Sequence, residues 1–279
     1  MIYINRSLGQ AMVDDMQNYT LSYTLEQEWK EDVVSYNVIG QLNGTSASDD
    51  YVLIGCLYDG WFNQAVADSA IGMGIMLAIA KCLQELNETN VRPKTTIRFV
   101  AFSGEEAGLR GAYSYLKEHQ NDNISLIIDL NQLGYIQSDP RQALWVFSNN
   151  LTMNASVAAI ASDTDFMARV NNFTDFHAKN TTASPYLSDH TPFYRKGGYN
   201  ILSFVKEDTN FNYSWRLHHR DGLNHTEGDT MKYYDDNEVK ITAELIWNVT
   251  KYFVLNPDCR FNGSLSYSAT DSPNDPRFH

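Results

Sequence analysis

At 279 residues the chain is long enough for one large domain with short appendages. A hydrophobic content of 43% supplies a sizeable core and excludes a disordered polymer, while a net charge of −13 argues against nucleic acid or an anionic membrane surface as partner. No apolar run approaches about 18 residues, so no transmembrane segment is expected. The start, Met1-Ile2-Tyr3-Ile4-Asn5, lacks the basic flank and long apolar stretch of a signal peptide.

In chain order, residues 1–35 read as an N-terminal helical arm, 36–255 as the main domain and 256–279 as a polar tail. Apolar runs predict strands at 34–42 and 51–56. Helical spacing follows over 69–86, with Met73, Met76, Leu77, Ala80 and Leu83 expected inward. A strand at 96–102, a helix at 107–118 and a strand at 125–130 come next. Further strands fit 143–147 and 200–205 around a helix near 153–169, and a last helix fits 236–254. Such alternation predicts an α/β fold with a mostly parallel, helix-covered sheet.

Asn-x-Ser/Thr occurs at Asn5, Asn18, Asn43, Asn87, Asn123, Asn150, Asn154, Asn172, Asn180, Asn212, Asn224, Asn248 and Asn262. Chance would supply roughly three or four such acceptors. The excess predicts N-linked glycans and an extracellular or cell-surface location, with any leader removed or outside this sequence. Cys56 and Cys82 lie in apolar patterns expected to bury free thiols, and with Cys259 they leave at least one cysteine unpaired within the chain.

The segment Phe99-Val100-Ala101-Phe102-Ser103-Gly104-Glu105-Glu106 places two adjacent carboxylates just past the carboxyl end of a strand, where open α/β sheets keep their ligand crevice. Adjacent acids repel, so they call for a cation or a proton; the plain alternative is a solvated helix N-terminus. Three other segments line up with them: Cys56-Leu57-Tyr58-Asp59-Gly60, Ala67-Asp68-Ser69, and Asn224-His225-Thr226-Glu227-Gly228-Asp229. Asp68, Glu106 and His225 are three oxygen and nitrogen donors of the kind an open zinc site uses, with Glu105 beside them as general base.

Together with Val52-Leu53-Ile54-Gly55 and Ser188-Asp189-His190-Thr191-Pro192-Phe193, these segments resemble the zinc-dependent exopeptidases that include bacterial leucyl aminopeptidase, vacuolar aminopeptidase Y and the glutaminyl cyclases. The resemblance spans about residues 36–255. It implies a single three-layer domain with a mixed, mainly parallel central sheet, two neighbouring zinc ions and a glutamate base. Asp59 is implied as an orienting group, with Asp189, His190 and Asp229 around the cleft. Two ligand positions of one ion carry Leu57 and Asn131 here, and neither suits zinc. The resemblance therefore implies one retained ion, held by Asp68, Glu106 and His225.

Two readings stand at this stage. One is a secreted single-zinc exopeptidase of aminopeptidase type acting on peptides through Glu105. The other is a catalytically silent surface, adhesive or self-assembling glycoprotein whose partner is another protein, or its own copies in a homo-oligomer or filament. A glutaminyl cyclase-like transferase ranks below both, because that branch has an acid where Asn131 stands and a tryptophan where Asn224 stands. His218, His219 and Arg220 read as surface, and Arg195 and Lys196 as a solvated helix end. Tyr58, Trp61, Phe62 and Trp215 read as core aromatics or a specificity pocket.

Overall fold

The computed structural model describes residues 6–18, 32–61, 64–134, 142–162, 176–180, 188–196, 199–208 and 225–256, with 20, 22, 24, 26 and 28. Asn5, Phe62, Asn172, Asn212, Trp215, His218, His219, Arg220, Asn224, Cys259 and Asn262 lie outside the described residues. The chain divides into a small unit, Met1–Val34, and a large one, Ser35–His279. The small unit contains helix α1 (Arg6–Asp14) and a 3-10 turn at Met16–Asn18.

The large unit holds strands β1 (Val38–Leu42), β2 (Tyr51–Leu57), β3 (Thr96–Phe102), β4 (Ile124–Leu130), β5 (Gln142–Ser148), β6 (Phe176–Asn180) and β7 (Ile201–Asp208). Its helices are α2 (Ile71–Glu88), α3 (Arg110–Glu118), α4 (Leu151–Ala161), α5 (Thr191–Lys196) and α6 (Asp236–Leu255). Among the described residues, these seven strands form one sheet in the order β1-β3-β2-β4-β7-β5-β6. β1 runs antiparallel to β3 and β5 antiparallel to β7, and the remaining pairs are parallel. The sheet is mixed and mainly parallel, as expected.

Every residue of β2 is buried, which is what a strand covered on both faces requires. Val52, Ile54 and Cys56 join one cluster with Ile75, Ile79 and Leu83 of α2, Val157 of α4 and Val249 and Phe253 of α6. Tyr51 and Leu53, on the other face, pack with Tyr115 and Leu116 of α3 and Phe193 of α5. These two clusters make the fold three layers deep, and each fully buried Leu, Ile or Phe contributes about 1.5–3 kcal/mol.

The inner face of α2 differs from the expected one. Ile71, Ile75, Ile79 and Leu83 face the core with Gly72 and Met76, whereas Leu77 is 61% exposed. Gly72 sets this phase: a Cβ there would meet Leu130 O at 2.7 Å and Cys56 Sγ at 2.9 Å, so only glycine lets the helix approach β4 this closely. The stretch Val66–Glu88 has the length and hydropathy of a membrane span, yet 56% of its apolar window is buried inside the protein.

Candidate metal centre

The chain order places a switch in direction at β2. β3 lies on one side of it and β4 on the other, and the crevice beyond their carboxyl ends is where ligands bind in such sheets. All three strands deliver residues there. β2 ends at Leu57 and leads to Asp59, β3 ends at Phe102 and leads to Glu105 and Glu106, and β4 ends at Leu130 and leads to Asn131 and Gln132.

The Glu105–Glu106 pair sits in a turn and not at a helix N-terminus, because α3 begins only at Arg110. Gly104 at φ 64° and Gly108 at φ 97° take backbone conformations that L side chains rarely adopt, and they form this turn. The turn is tied by Gly111 N donating to Ser103 O at 2.7 Å and Leu109 N donating to Glu105 O at 2.8 Å. Asp59 clamps it from the loop after β2: Glu105 N donates to Oδ1 at 3.0 Å and Glu106 N to Oδ2 at 3.2 Å. Asp59 thus orients the backbone that carries both glutamates.

Asp68 comes from the kinked turn Val66–Ala70 just before α2, where its own backbone (φ −120°, ψ 74°) is not helical, and the Asp68–Ser69 peptide is cis. Asp229, 1% exposed, anchors that turn by accepting from Ala67 N at 2.8 Å, Asp68 N at 3.4 Å and the Tyr234 hydroxyl at 2.7 Å. His225 sits at φ 57°. Ala65, Gln132 and His225, all near the crevice, have positive φ without being glycine, a strain that concentrates at functional sites.

One ligand atom from each of Asp68, Glu106 and His225 lies within 4.8 Å of the others. His225 Nε2 is 2.9 Å from Asp68 Oδ2 and 3.3 Å from Glu106 Oε1. A tetrahedral ion with bonds of about 2.0–2.1 Å separates its ligand atoms by about 3.3 Å, so the spacing suits zinc. Glu106 Oε1 is buried and receives no hydrogen bond, the state of an oxygen reserved for a cation. The donor set therefore fits the metal.

Electrostatics agree with the geometry. Burial and the charges of Asp189, Asp68, Glu106 and Asp59 hold the Glu105 carboxyl well above the usual carboxylate range. Burial raises Glu106 as well, against the opposing pull of His225. Burial disfavours the His225 imidazolium, but the hydrogen bond to Asp68 and the negative charge of Glu106 overcome it and push the pKa to about 10.

The other expected residues separate by role. Leu57 is fully buried and brings no donor. Asn131 is 2% exposed, and its Oδ1 has no hydrogen-bond partner. Asp189 is 1% exposed with both carboxylate oxygens unpartnered; burial, then Asp129, Asp59, Asp68 and Glu106, drives its pKa up. His190 is buried away from the ligand trio, with Nδ1 2.6 Å from Asp129 Oδ2. Ser203 Oγ donates to the same Asp129 oxygen at 2.8 Å. Cys56 is a buried free thiol and Cys82 a half-buried one. In the last turn of α5, Lys196 Nζ donates to Gln120 O at 3.3 Å and Arg195 to the Tyr113 hydroxyl at 3.4 Å.

Two contributors carry no motif signal. Gln132 Nε2 donates to Asp68 Oδ2 at 3.0 Å, so a neutral amide shares the carboxylate with His225. Trp61, read above as a core or pocket aromatic, donates from Nε1 to Glu106 Oε2 at 2.5 Å. Its acidic partner lies 45 residues away, beyond the reach of any local pattern.

The sequence pattern of peptidase family M28 matches residues 37–250. A glutamate carboxypeptidase 2 homolog of Caenorhabditis elegans is 32% identical over 104 residues, 37% of this chain and 13% of that protein. A probable zinc metalloprotease of Pyrenophora tritici-repentis is 25% identical over 251 residues, 76% of this chain and 56% of that one. The chain thus spans little more than half the length of the curated relatives it matches, and in places far less. A zinc aminopeptidase from Bacillus subtilis superposes with a TM-score of 0.62 at 20% identity, covering 78% of this chain and 50% of that one. That likeness shows the same fold. With its family match running through the sheet, the glutamate turn and the His225 turn, the chain belongs to peptidase family M28.

Proposed function

We propose that the chain is a single-zinc exopeptidase of aminopeptidase type, secreted and N-glycosylated. The convergence of Asp68, Glu106 and His225 on one point, beside Glu105, carries this reading. Bound zinc supplies Lewis acidity toward a carbonyl and lowers the pKa of water. Glu105 serves as the base: burial and the neighbouring acids hold its carboxyl well above the usual carboxylate range, which makes it a stronger acceptor for a proton from water and a donor of that proton to a leaving amine. Asp59 keeps Glu105 and Glu106 in fixed relation through their two amides. The choice of peptide end follows from charge. Asp59, Asp68, Glu106, Asp129 and Asp189 dominate the field on the buried carboxyls, with His225 the opposing group. Apart from the charge of the bound ion itself, such a field attracts an α-ammonium and repels an α-carboxylate.

Purified protein is expected to hold one zinc per chain, to lose it in Glu106→Ala, and to release amino acids from unblocked but not N-acetylated peptides. Zinc-free protein would sink the reading, and release from the carboxyl end would replace it with the activity that the C. elegans relative is named for. Leu57 and Asn131, which bring no charged donor, favour a second reading as a silent surface or self-assembling glycoprotein. Zinc-free protein selects it.

The acceptor excess supports secretion, and burial limits which sites it covers. Asn150 caps α4, its Oδ1 accepting from Thr152 N and Met153 N, and is 7% exposed; Asn154 is 8% exposed. Neither leaves an outlet for a glycan. Asn18, Asn43 and Asn123 are exposed. Glycopeptide mass spectrometry of secreted protein is expected to find sugar on these three and none on Asn150 or Asn154. A fully occupied Asn150 would contradict the capped, buried geometry.

A further inference from the structure

Glu106 has two carboxylate oxygens in different situations. Oε1 is buried, receives no hydrogen bond and lies 3.3 Å from His225 Nε2. Oε2 accepts the indole N–H of Trp61 at 2.5 Å. A glutamate χ3 torsion is broad and roughly two-fold, so an untied carboxylate can exchange its oxygens or offer both to a metal. A hydrogen bond on one oxygen removes that freedom. The indole is suited to this task, because it is a donor only and cannot itself bind the ion.

Trp61 is also placed unlike a core aromatic. It is 43% exposed, on the loop after β2, with its ring centroid 6.0 Å from that of His225. Exposure at this level means that its burial contributes little to folding, and its polar bond reaches across 45 residues to a candidate ligand.

We infer that Trp61 is a positioning residue for the metal: its indole N–H ties Oε2 of Glu106 and leaves Oε1 as the single coordinating oxygen. This inference rests on the zinc reading above. Second-sphere partners of this kind typically change metal affinity about 10–100-fold. The indole, close to the ligand trio, also makes Trp61 a candidate fluorescence reporter of occupancy.

The test compares wild type, Trp61→Phe and Tyr58→Phe. Phenylalanine keeps an aromatic ring at 61 and removes the N–H. Tyr58→Phe loosens the same loop elsewhere, since the Tyr58 hydroxyl donates to Tyr36 O at 2.6 Å. Zinc affinity is measured by competition with a chromophoric chelator, and the coordination number is read from the visible spectrum of the cobalt-substituted protein. Trp61→Phe is expected to weaken zinc binding about 10–100-fold and to lower the cobalt absorbance as Glu106 offers both oxygens. Tyr58→Phe is expected to match wild type in both readouts. Equal affinity and spectrum in Trp61→Phe overturn the inference while leaving the zinc reading intact. Equal weakening by Tyr58→Phe also overturns it, by showing a loop effect. A wild type that binds no zinc overturns both.

Discussion

On the proposed exopeptidase reading, Glu105→Gln is expected to lower the release of amino acids from unblocked peptides by about 10²–10⁴-fold, with zinc still bound and the fold at least as stable. Glutamine keeps the shape and length of the side chain, and the backbone bond from residue 105 to Asp59 is unaffected. What disappears is a group able to take up and return a proton. The stability half of the expectation comes from the same surroundings. Glu105 is pressed by burial and by four acids, Asp189, Asp68, Glu106 and Asp59. A neutral amide relieves that repulsion, as expected where a site holds charge for function at the expense of stability. Peptidase rates, zinc content and thermal unfolding of the two proteins check all three parts. Retained activity within about threefold would remove Glu105 from the role that general-base catalysis assigns it, and a large loss of stability would mark it as structural.

The fold and the clustering of Asp68, Glu106 and His225 are legible in the sequence because their signals are local. The buried strand ending in Ser103-Gly104 announces the glutamate turn, and Asp68 and His225 each stand in a short motif. What stayed hidden depends on contacts across the fold. The inward face of α2 is fixed by the approach of Gly72 to Leu130, and a helical pattern alone left Leu77 inside. The start of α3 moves from 107 to Arg110 because Gly104 and Gly108 form a turn first. Strand β6, Phe176–Asn180, has no apolar run and is defined by its parallel pairing with β5. Gln132 reaches Asp68 only through a backbone at φ 47°, a conformation that a glutamine in the sequence does not advertise. Trp61 and Asp129 are likewise chosen by partners that are distant in the chain.

On the proposed zinc reading, removing the metal with a chelator is expected to lower Tm, and by more at pH 8 than at pH 5.5. In the metal-free fold, burial and neighbouring acids raise Glu105, Glu106 and Asp189 above their unfolded values. The folded state then binds more protons than the unfolded chain once pH passes the usual carboxylate range, so stability falls as pH rises through that window. His225 adds to the trend. Its folded pKa of about 10 exceeds the ordinary value of 6.5, so its contribution is complete below 6.5 and is lost as pH rises through about 10. Both kinds of group therefore weaken the metal-free protein toward alkaline pH, by about 1.4 kcal/mol per pH unit for each extra proton held. On that reading metal binding has the opposite dependence, because Glu106 and His225 would shed protons to coordinate. Free zinc at about a thousand times its dissociation constant stabilises the fold by about 4 kcal/mol, or roughly 8–16 °C in a chain of this size. The gap between metal-loaded and chelated Tm widens with pH because the two trends diverge. Thermal scans at both pH values check this, and a gap that narrows or stays constant would place the protons elsewhere than on the metal ligands.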